Sequence, residues 1–297
     1  MKFSTSYRGI IWMSTRDFLK GDIQKIWRNV QRLQGSLQLN YFGCCFGRYD
    51  IAVEFDHVNP RVLSSLVWRL HEQLKEAGLA ENNFCPSLTL CKKICGESHA
   101  FSHPIRVYTF INTKHEKTNE FLSIACEYVQ EKSKQITSIE LFWNTSTYSF
   151  MLTIQGERFY DIYQVLLEFK ETSESAINEI STLFTLRWDP KKVDFQKDLV
   201  FQREECTKEI LAIVYVKLKN SKKSQVLNLP DGFVTLFDIA HQFENPGYYD
   251  MCLGIKKPTL AEIKEAVYEL RNYNKNCIES TSTILLFPRG GTNEGLP

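Results

Sequence analysis

Two stretches of the chain share a pattern that could bind a small molecule: glycine, any residue, tyrosine and aspartate, directly before an apolar segment. An aspartate carboxylate in such a loop accepts hydrogen bonds from the ammonium group of an effector, or it caps the loop through backbone N–H groups. Both roles stay open at this point. The candidate ligand-binding residues are Gly47, Tyr49, Asp50, Gly247, Tyr249 and Asp250.

Six histidines and nine cysteines raise the question of a metal or haem site. His99 and His103 are four residues apart but fall in a segment without a helical pattern, and Cys91 and Cys95 lack the second pair that a four-ligand zinc site needs. We therefore predict no metal, no cofactor and no catalytic residue. The other histidines are His57, His71, His115 and His241.

The Gly-x-Tyr-Asp stretches belong to a longer internal repeat. A weaker version around Tyr148 lies between them, with Ser149 where the other two have aspartate, so Tyr49, Tyr148 and Tyr249 are 99 and 101 residues apart. Each is followed by a segment with apolar residues at helical spacing and then by a strand rich in threonine and aliphatic residues. The recurrence predicts three copies of one small domain.

The order of elements in each copy predicts the fold class. Each copy reads β-α-β-β-α-β, which is typical of the ferredoxin-like fold, an antiparallel sheet with two helices on one face. The predicted class is therefore α+β, with tandem ferredoxin-like domains. The polar segments between copies place the domains at residues 1–98, 99–190 and 191–297. Each sheet keeps one face that needs a partner.

The stretch from Gly247 to Phe287 and the stretch from Phe46 to Lys93 resemble the effector-binding domain of the Lrp/AsnC regulators, the RAM-type domain. The resemblance implies a dimeric α+β barrel, in which two domains press their sheets together and small effectors such as amino acids bind near the loops. It also implies that the Gly-x-Tyr-Asp loops lie by the effector pocket. The second copy departs from this pattern at Ser146 and Ser149, which puts its pocket in doubt.

Composition and charge narrow the function further. The formal net charge is +1, which gives no overall attraction to nucleic acid or to an anionic membrane. An odd number of cysteines in apolar stretches, without a signal-peptide pattern, indicates the reducing cytoplasm. Because the first strand is predicted from about residue 8, there is no room for the helix-turn-helix of the Lrp/AsnC regulators, and we expect no direct DNA binding.

These observations predict a non-enzymatic small-molecule sensor or regulatory assembly protein. Its partners would be an effector and a second copy of the chain, because three domains that pair through their sheets need a homodimer or a higher closed oligomer. Two alternatives remain. One is an enzyme of the dimeric α+β barrel type, either a monooxygenase or haem-dependent. The other is an RNA-binding protein, since RNA-recognition motifs share the βαββαβ order.

Overall fold

The computed structural model describes residues 7–14, 20–33, 37–46, 49–78, 85–97, 103–133, 138–145, 148–187, 210–219, 227–238 and 250–286. The chain divides into two compact units. Unit 1 takes in residues 1–45 and 49–204, and unit 2 takes in residues 46–48 and 205–297. None of the described helices is both long and apolar enough to span a membrane.

The first four strands of unit 1 form set 1. Its helix α2 begins at a clear sequence cue, since the Asn59 side-chain oxygen accepts a hydrogen bond from the Arg61 N–H at 2.9 Å and Pro60 is the first helical residue. The elements of set 1 are β1 (Tyr7–Ser14), α1 (Lys20–Leu33), β2 (Gln38–Cys45), β3 (Ile51–His57), α2 (Pro60–Glu76) and β4 (Cys85–Glu97).

The next four strands form set 2 and repeat the same order. One helix packs on the sheet through Phe121, whose ring centroid lies 4.9 Å from that of Phe150. The two helices contact each other through Tyr128 and Phe169, whose ring centroids are 5.4 Å apart. The elements of set 2 are β5 (Ile105–Thr113), a 3-10 turn (His115–Lys117), α3 (Thr118–Lys132), β6 (Ser138–Asn144), β7 (Phe150–Gly156), α4 (Phe159–Ser173) and β8 (Ile177–Arg187).

Sets 1 and 2 close into one eight-stranded antiparallel barrel. The strand order around it is β1-β3-β2-β8-β5-β7-β6-β4. Two seams join the sets, and each pairs the second strand of one set with the fourth strand of the other: β2 with β8, and β4 with β6. Closure leaves the barrel without free strand edges, which removes a common route to aggregation.

The barrel interior has an apolar layer and a charged layer. The apolar layer is a buried cluster that includes Trp12, Tyr108 and Met151, with Tyr49 and Phe110 packed against it. Alternation along each strand places residues two apart on the same face, so Arg8 lies on the inner face together with Trp12. The charged layer is described with the site below.

Unit 2 contains set 3, a four-stranded antiparallel sheet with the order β10-β11-β9-β12. Its helix α5 begins with a capping box, in which Thr259 and Glu262 each bond to the other's backbone N–H. The elements of set 3 are β9 (Ile210–Leu218), β10 (Phe233–Asp238), β11 (Met251–Lys257), α5 (Leu260–Tyr273) and β12 (Ile278–Leu286).

The predicted α+β class with antiparallel sheets is confirmed. The spacing of the threonines in the fourth strand of each set, Thr89, Thr185 and Thr283, predicts equivalent positions at intervals of 96 and 98 residues, and this prediction is wrong. Thr89 pairs with Ile10, whereas Thr185 pairs with Arg106. These partners lie at different places in their strands, because Arg106 corresponds to Arg8 and not to Ile10. Small residues recur along strands rich in threonine, so the shared spacing did not fix the register.

The seam between β4 and β6 depends on a glycine. Gly96 has φ +98, and a Cβ atom there would meet the backbone oxygen of Ile139. Gly78 also has a positive φ, +72, but open space around it. We expect Gly78→Ala to cost about 1 kcal/mol from backbone strain alone, and Gly96→Ala to cost roughly 1–3 kcal/mol more because the seam must shift.

Urea unfolding followed by circular dichroism measures the two free energies of unfolding. Equal losses of unfolding free energy for Gly96→Ala and Gly78→Ala would show that the close approach of Gly96 to Ile139 does not contribute to stability.

Candidate functional site in the barrel

Two arginines enter the barrel from corresponding strands. Arg8 is on β1 and pairs with Asp56 on β3, while Arg106 is on β5 and pairs with Gln155 on β7. Both side chains are buried, at 4% and 0% exposure. A buried guanidinium requires carboxylates nearby, because removing a charge from water without a partner is strongly unfavourable.

Two glutamates supply these partners across the barrel. Glu140 of set 2 lies 2.6 Å from Arg8 Nη1 and 3.4 Å from Arg106 Nη2. Glu54 of set 1 lies 2.8 Å from Arg106 Nε and 3.7 Å from Arg8 Nε. Each arginine therefore pairs most closely with the glutamate of the other set. We call these four residues the ionic box.

The Arg106–Glu54 contact is an ion pair more than a directed hydrogen bond. The atoms are 2.8 Å apart, yet neither Arg106 Nε nor Glu54 Oε1 has a hydrogen bond of good geometry. The Arg8–Glu140 contact, in contrast, is a hydrogen bond. The two halves of the box are thus bonded unequally.

One end of the box reaches solvent through two further charges. Asp56 accepts two hydrogen bonds from Arg8, at 2.9 and 3.1 Å, and Lys93 Nζ lies 3.0 Å from Glu140 Oε1. The Asp56 and Lys93 side chains are 21% and 24% exposed, whereas the glutamates are fully buried. A small solute would reach the box from this end.

The two glutamates have opposite pKa shifts. Burial raises the pKa of Glu54, and the nearby Arg106 and Arg8 offset this only in part. Burial also acts to raise the pKa of Glu140, but Arg8, Arg106 and Lys93 together lower it to about 2. Carboxyl groups whose environments separate their pKa values are typical of acid–base centres, and also occur in structural ion-pair networks.

Several buried polar atoms beside the box have no hydrogen-bond partner among the described residues. They are both side-chain amide atoms of Gln155 and the Nη1 atom of Arg106. Gln155 is 1% exposed, and its strand pairs with Arg106 in the sheet. Buried polar groups nearly always have a partner, so these atoms keep unused hydrogen-bonding capacity that a small polar molecule would satisfy.

The apolar layer of the barrel contains one of the predicted ligand-binding residues. The ring of Tyr49 stacks on Trp12 at 5.4 Å, and the Tyr49 hydroxyl accepts a hydrogen bond from Ser87 at 3.4 Å. In set 2 the corresponding Tyr148 lies 5.7 Å from Phe110. Both loop tyrosines therefore pack over the apolar end of the barrel, away from the ionic box.

The two predicted aspartates hold equivalent places in sets 1 and 3. The Asp50 N–H donates to the Met13 carbonyl, and the Asp250 N–H donates to the Val216 carbonyl, each at 2.8 Å. The Asp250 carboxylate also accepts a hydrogen bond from the Leu218 N–H at 2.7 Å, as a loop cap does. Gly47, Gly247 and Tyr249 lie outside the described residues.

The ionic box was missed from the sequence, although an indication was present. Arg8 and Arg106 are each the second residue of an apolar strand and are 98 residues apart, close to the period of the repeat. Glu54 and Glu140 likewise interrupt apolar strands. A charge at the same place in two buried strands requires opposite charges within the same core.

Comparison with known proteins places the fold of this chain. A scan against protein-family models finds no match, and a search of curated proteins finds none. Among solved structures, a chlorite dismutase variant from Candidatus Nitrospira defluvii in complex with cyanide matches with TM-score 0.50 and 10% identity, covering 64% of this chain and 93% of that chain. Another variant of that enzyme matches with TM-score 0.50, 11% identity and coverage of 64% and 94%.

A haem-binding protein from Thermus thermophilus also matches, with TM-score 0.47, 8% identity and coverage of 63% and 92%. At these identities the likeness shows the fold alone. The prediction of a non-enzymatic sensor or assembly protein is nevertheless contradicted, because the matching structures are of a dismutase and not of a regulator. The enzyme alternative is better supported.

The described residues do not fit a haem. Aromatic rings occupy the part of the barrel interior that a haem would need, with the Trp12 and Tyr108 rings 4.9 Å apart and the Arg106 guanidinium between Tyr41 and Tyr108. Of the histidines in the described ranges, His103 lies 3.7 Å from Glu157. His115 lies in a 3-10 turn, His71 lies on helix α2, and His57 lies just before the start of that helix. His99 and His241 lie outside those ranges.

The unequal glutamates predict different effects of charge removal. Glu140→Gln leaves Arg8 without its closest partner, and we expect it to cost roughly 3–5 kcal/mol at neutral pH. Glu54→Gln should cost less, because a neutral amide resembles the protonated carboxyl that burial favours. Urea unfolding at neutral pH measures both, and equal losses would contradict the assigned pKa directions.

The same shifts set the sign of the pH dependence. Glu140 stabilises the fold above its unfolded pKa, and that stability is lost as pH falls toward 2. Glu54 acts oppositely, since its raised pKa makes the fold lose stability as pH rises from the unfolded pKa through the folded one. We expect Glu54→Gln to remove the loss of stability with rising pH. The free energies of unfolding of wild type and variant at pH 5 and pH 8 would detect this.

Proposed function

We propose that unit 1 is an enzyme of the α+β barrel type, in which a small oxyanion binds at the ionic box and Glu54 transfers a proton to or from it. The observation that carries this proposal is that Gln155 and Arg106, which pair across two strands, both have buried side-chain groups without a hydrogen-bond partner among the described residues: the Gln155 amide and Arg106 Nη1. Both groups can donate hydrogen bonds to the same oxyanion.

The charge of the site favours an anion. The site contains three cationic side chains and three carboxyls, namely Arg8, Arg106 and Lys93 with Glu54, Glu140 and Asp56. Their charges balance only when all three carboxyls are ionised. When Glu54 is protonated, a form that its raised pKa favours more than in a free glutamate, one positive charge remains for a ligand. Burial limits the ligand to a few atoms, because only Asp56 and Lys93 among these groups reach solvent.

Glu54 is the group suited to carry the proton. Its carboxyl is fully buried, its pKa is raised by burial, and the Tyr108 hydroxyl lies beside it. A carboxyl with a raised pKa is a stronger base when ionised and stays protonated to higher pH. Glu140, with its pKa near 2, stays ionised and holds the two arginines in place.

Gln155→Leu separates anion binding from stability. The change keeps a similar side-chain volume and removes the unpartnered amide, so we expect the free protein to be as stable as the wild type or more so. Formate, bicarbonate, nitrite and chlorite, tested one at a time, should raise the melting temperature of the wild type with saturation. At about 100 times Kd the gain is about 2.7 kcal/mol, or several degrees. Gln155→Leu should show no rise.

The matched control is Thr109→Val, which changes a fully buried polar residue on β5, the strand that pairs with the strand of Gln155. Its anion response should equal that of the wild type, with chloride at the same ionic strength as the salt control. Anion consumption, followed by ion chromatography, tests turnover, which Glu54→Gln should lose while still binding the anion. An equal melting shift in wild type and Gln155→Leu would overturn the site.

A second candidate is a haem-dependent enzyme, which the fold shared with chlorite dismutase favours. Titration with hemin tests it through the Soret band. A band that saturates at one haem per chain would establish this candidate, and the barrel interior described above would then not be its site. A linear, unsaturated increase would reject it.

Three further predictions belong to this proposal. The same strand order in sets 1, 2 and 3 supports three tandem ferredoxin-like domains. The equivalent backbone bonds of Asp50 and Asp250 support the resemblance to the Lrp/AsnC domain in sets 1 and 3. Seven cysteines whose side chains are described form no disulfide, which supports a cytoplasmic location.

A further inference from the structure

We propose that the sheet of unit 2 closes a second barrel with the same sheet of another copy of this chain. In unit 1 the free face and the free edges of set 1 are covered by set 2, through the seams β2–β8 and β4–β6. Unit 2 has a sheet of the same strand order, and among the described residues no second sheet pairs with it.

The edges of the unit 2 sheet are the ones that pair across unit 1. Its outer strands are β10 and β12, the second and fourth strands of set 3. In unit 1 each seam joins a second strand to a fourth strand. A twofold axis would bring β10 of one copy beside β12 of the other, and the reverse pair would follow by symmetry. The surface is therefore self-complementary, as an isologous dimer requires.

The sheet face of unit 2 that the second copy would cover is apolar at the positions that the ionic box occupies in unit 1. Leu211 stands at the place of Arg8 and Arg106, Gly254 at the place of Glu54, and Val234 at the place of Glu140, as the strand registers show. Two sheets of this kind can therefore meet without an ionic box, and Lys256, at the place of Asp56 and Gln155, is the charge that the paired sheets must keep in contact with water.

Two side chains of this face are exposed to solvent. Val234 is 61% exposed and Ile284 is 47% exposed, although both are in strands. Along β9 the residues alternate between buried and half-buried, and Ile213 and Tyr215 are on the half-buried face. Lys217 and Lys256 flank this face, which gives an apolar centre with charged groups at its margin.

Light scattering of the full chain after gel filtration tests the dimer. The wild type should have twice the chain mass of 34.6 kDa at micromolar concentration. Val234→Lys and Ile284→Lys should each weaken association by at least tenfold, because each places a charge at the centre of the paired sheets. The matched control is Trp68→Lys, since Trp68 is 73% exposed but is on α2 of unit 1. This variant should remain a dimer.

A measurement on the wild type alone covers the case in which the variants fail to fold. Hydrogen exchange at high and low protein concentration should show added protection of β10 and β12 at high concentration, with β2 and β8 unchanged. A monomeric wild type at 100 µM overturns the proposal. So does a dimer that Trp68→Lys breaks while Ile284→Lys leaves intact. The outcome does not depend on anion binding in unit 1.

Discussion

The crossed ion pairs of the ionic box are the constraint on which unit 1 depends. Arg8 of set 1 bonds to Glu140 of set 2, and Arg106 of set 2 pairs with Glu54 of set 1. Each arginine also has a carboxylate in its own set, Asp56 for Arg8 and Glu140 for Arg106, but its closest contact is with the glutamate of the other set. Closing the barrel therefore completes the charge pairing in the same step that buries the apolar faces of the two sheets.

The ionic box is not symmetric between the two sets. Their arginines correspond, but their glutamates do not: Glu54 is on the third strand of set 1, and Glu140 is on the second strand of set 2. The two carboxyls consequently meet different neighbours, and only Glu140 gains Lys93. A strictly symmetric barrel would give both carboxyls the same pKa, so it is this asymmetry that makes one of them available for proton transfer.

Much of the fold could be predicted from the sequence, because its elements follow local rules. Asn59 and Pro60 mark the start of a helix, and alternation marks the strands. The barrel site could not be predicted in the same way. Arg106 and Glu54 meet only after two sheets fold together, and the Gly-x-Tyr-Asp loops drew attention to the other, apolar end of the barrel. A charge within a buried strand was the better guide.

The seam between β2 and β8 has a consequence for synthesis of the chain. The hydrogen bond from Thr185 to Tyr41 joins residues 144 positions apart, so β2 must wait for nearly all of unit 1 to leave the ribosome. Contacts of such long sequence separation slow folding, and an unpaired strand edge is open to the wrong partner meanwhile. The β2 edge of the nascent first sheet is thus open to mispairing until β8 has been made, and a chain stopped before β8 would keep that edge unpaired.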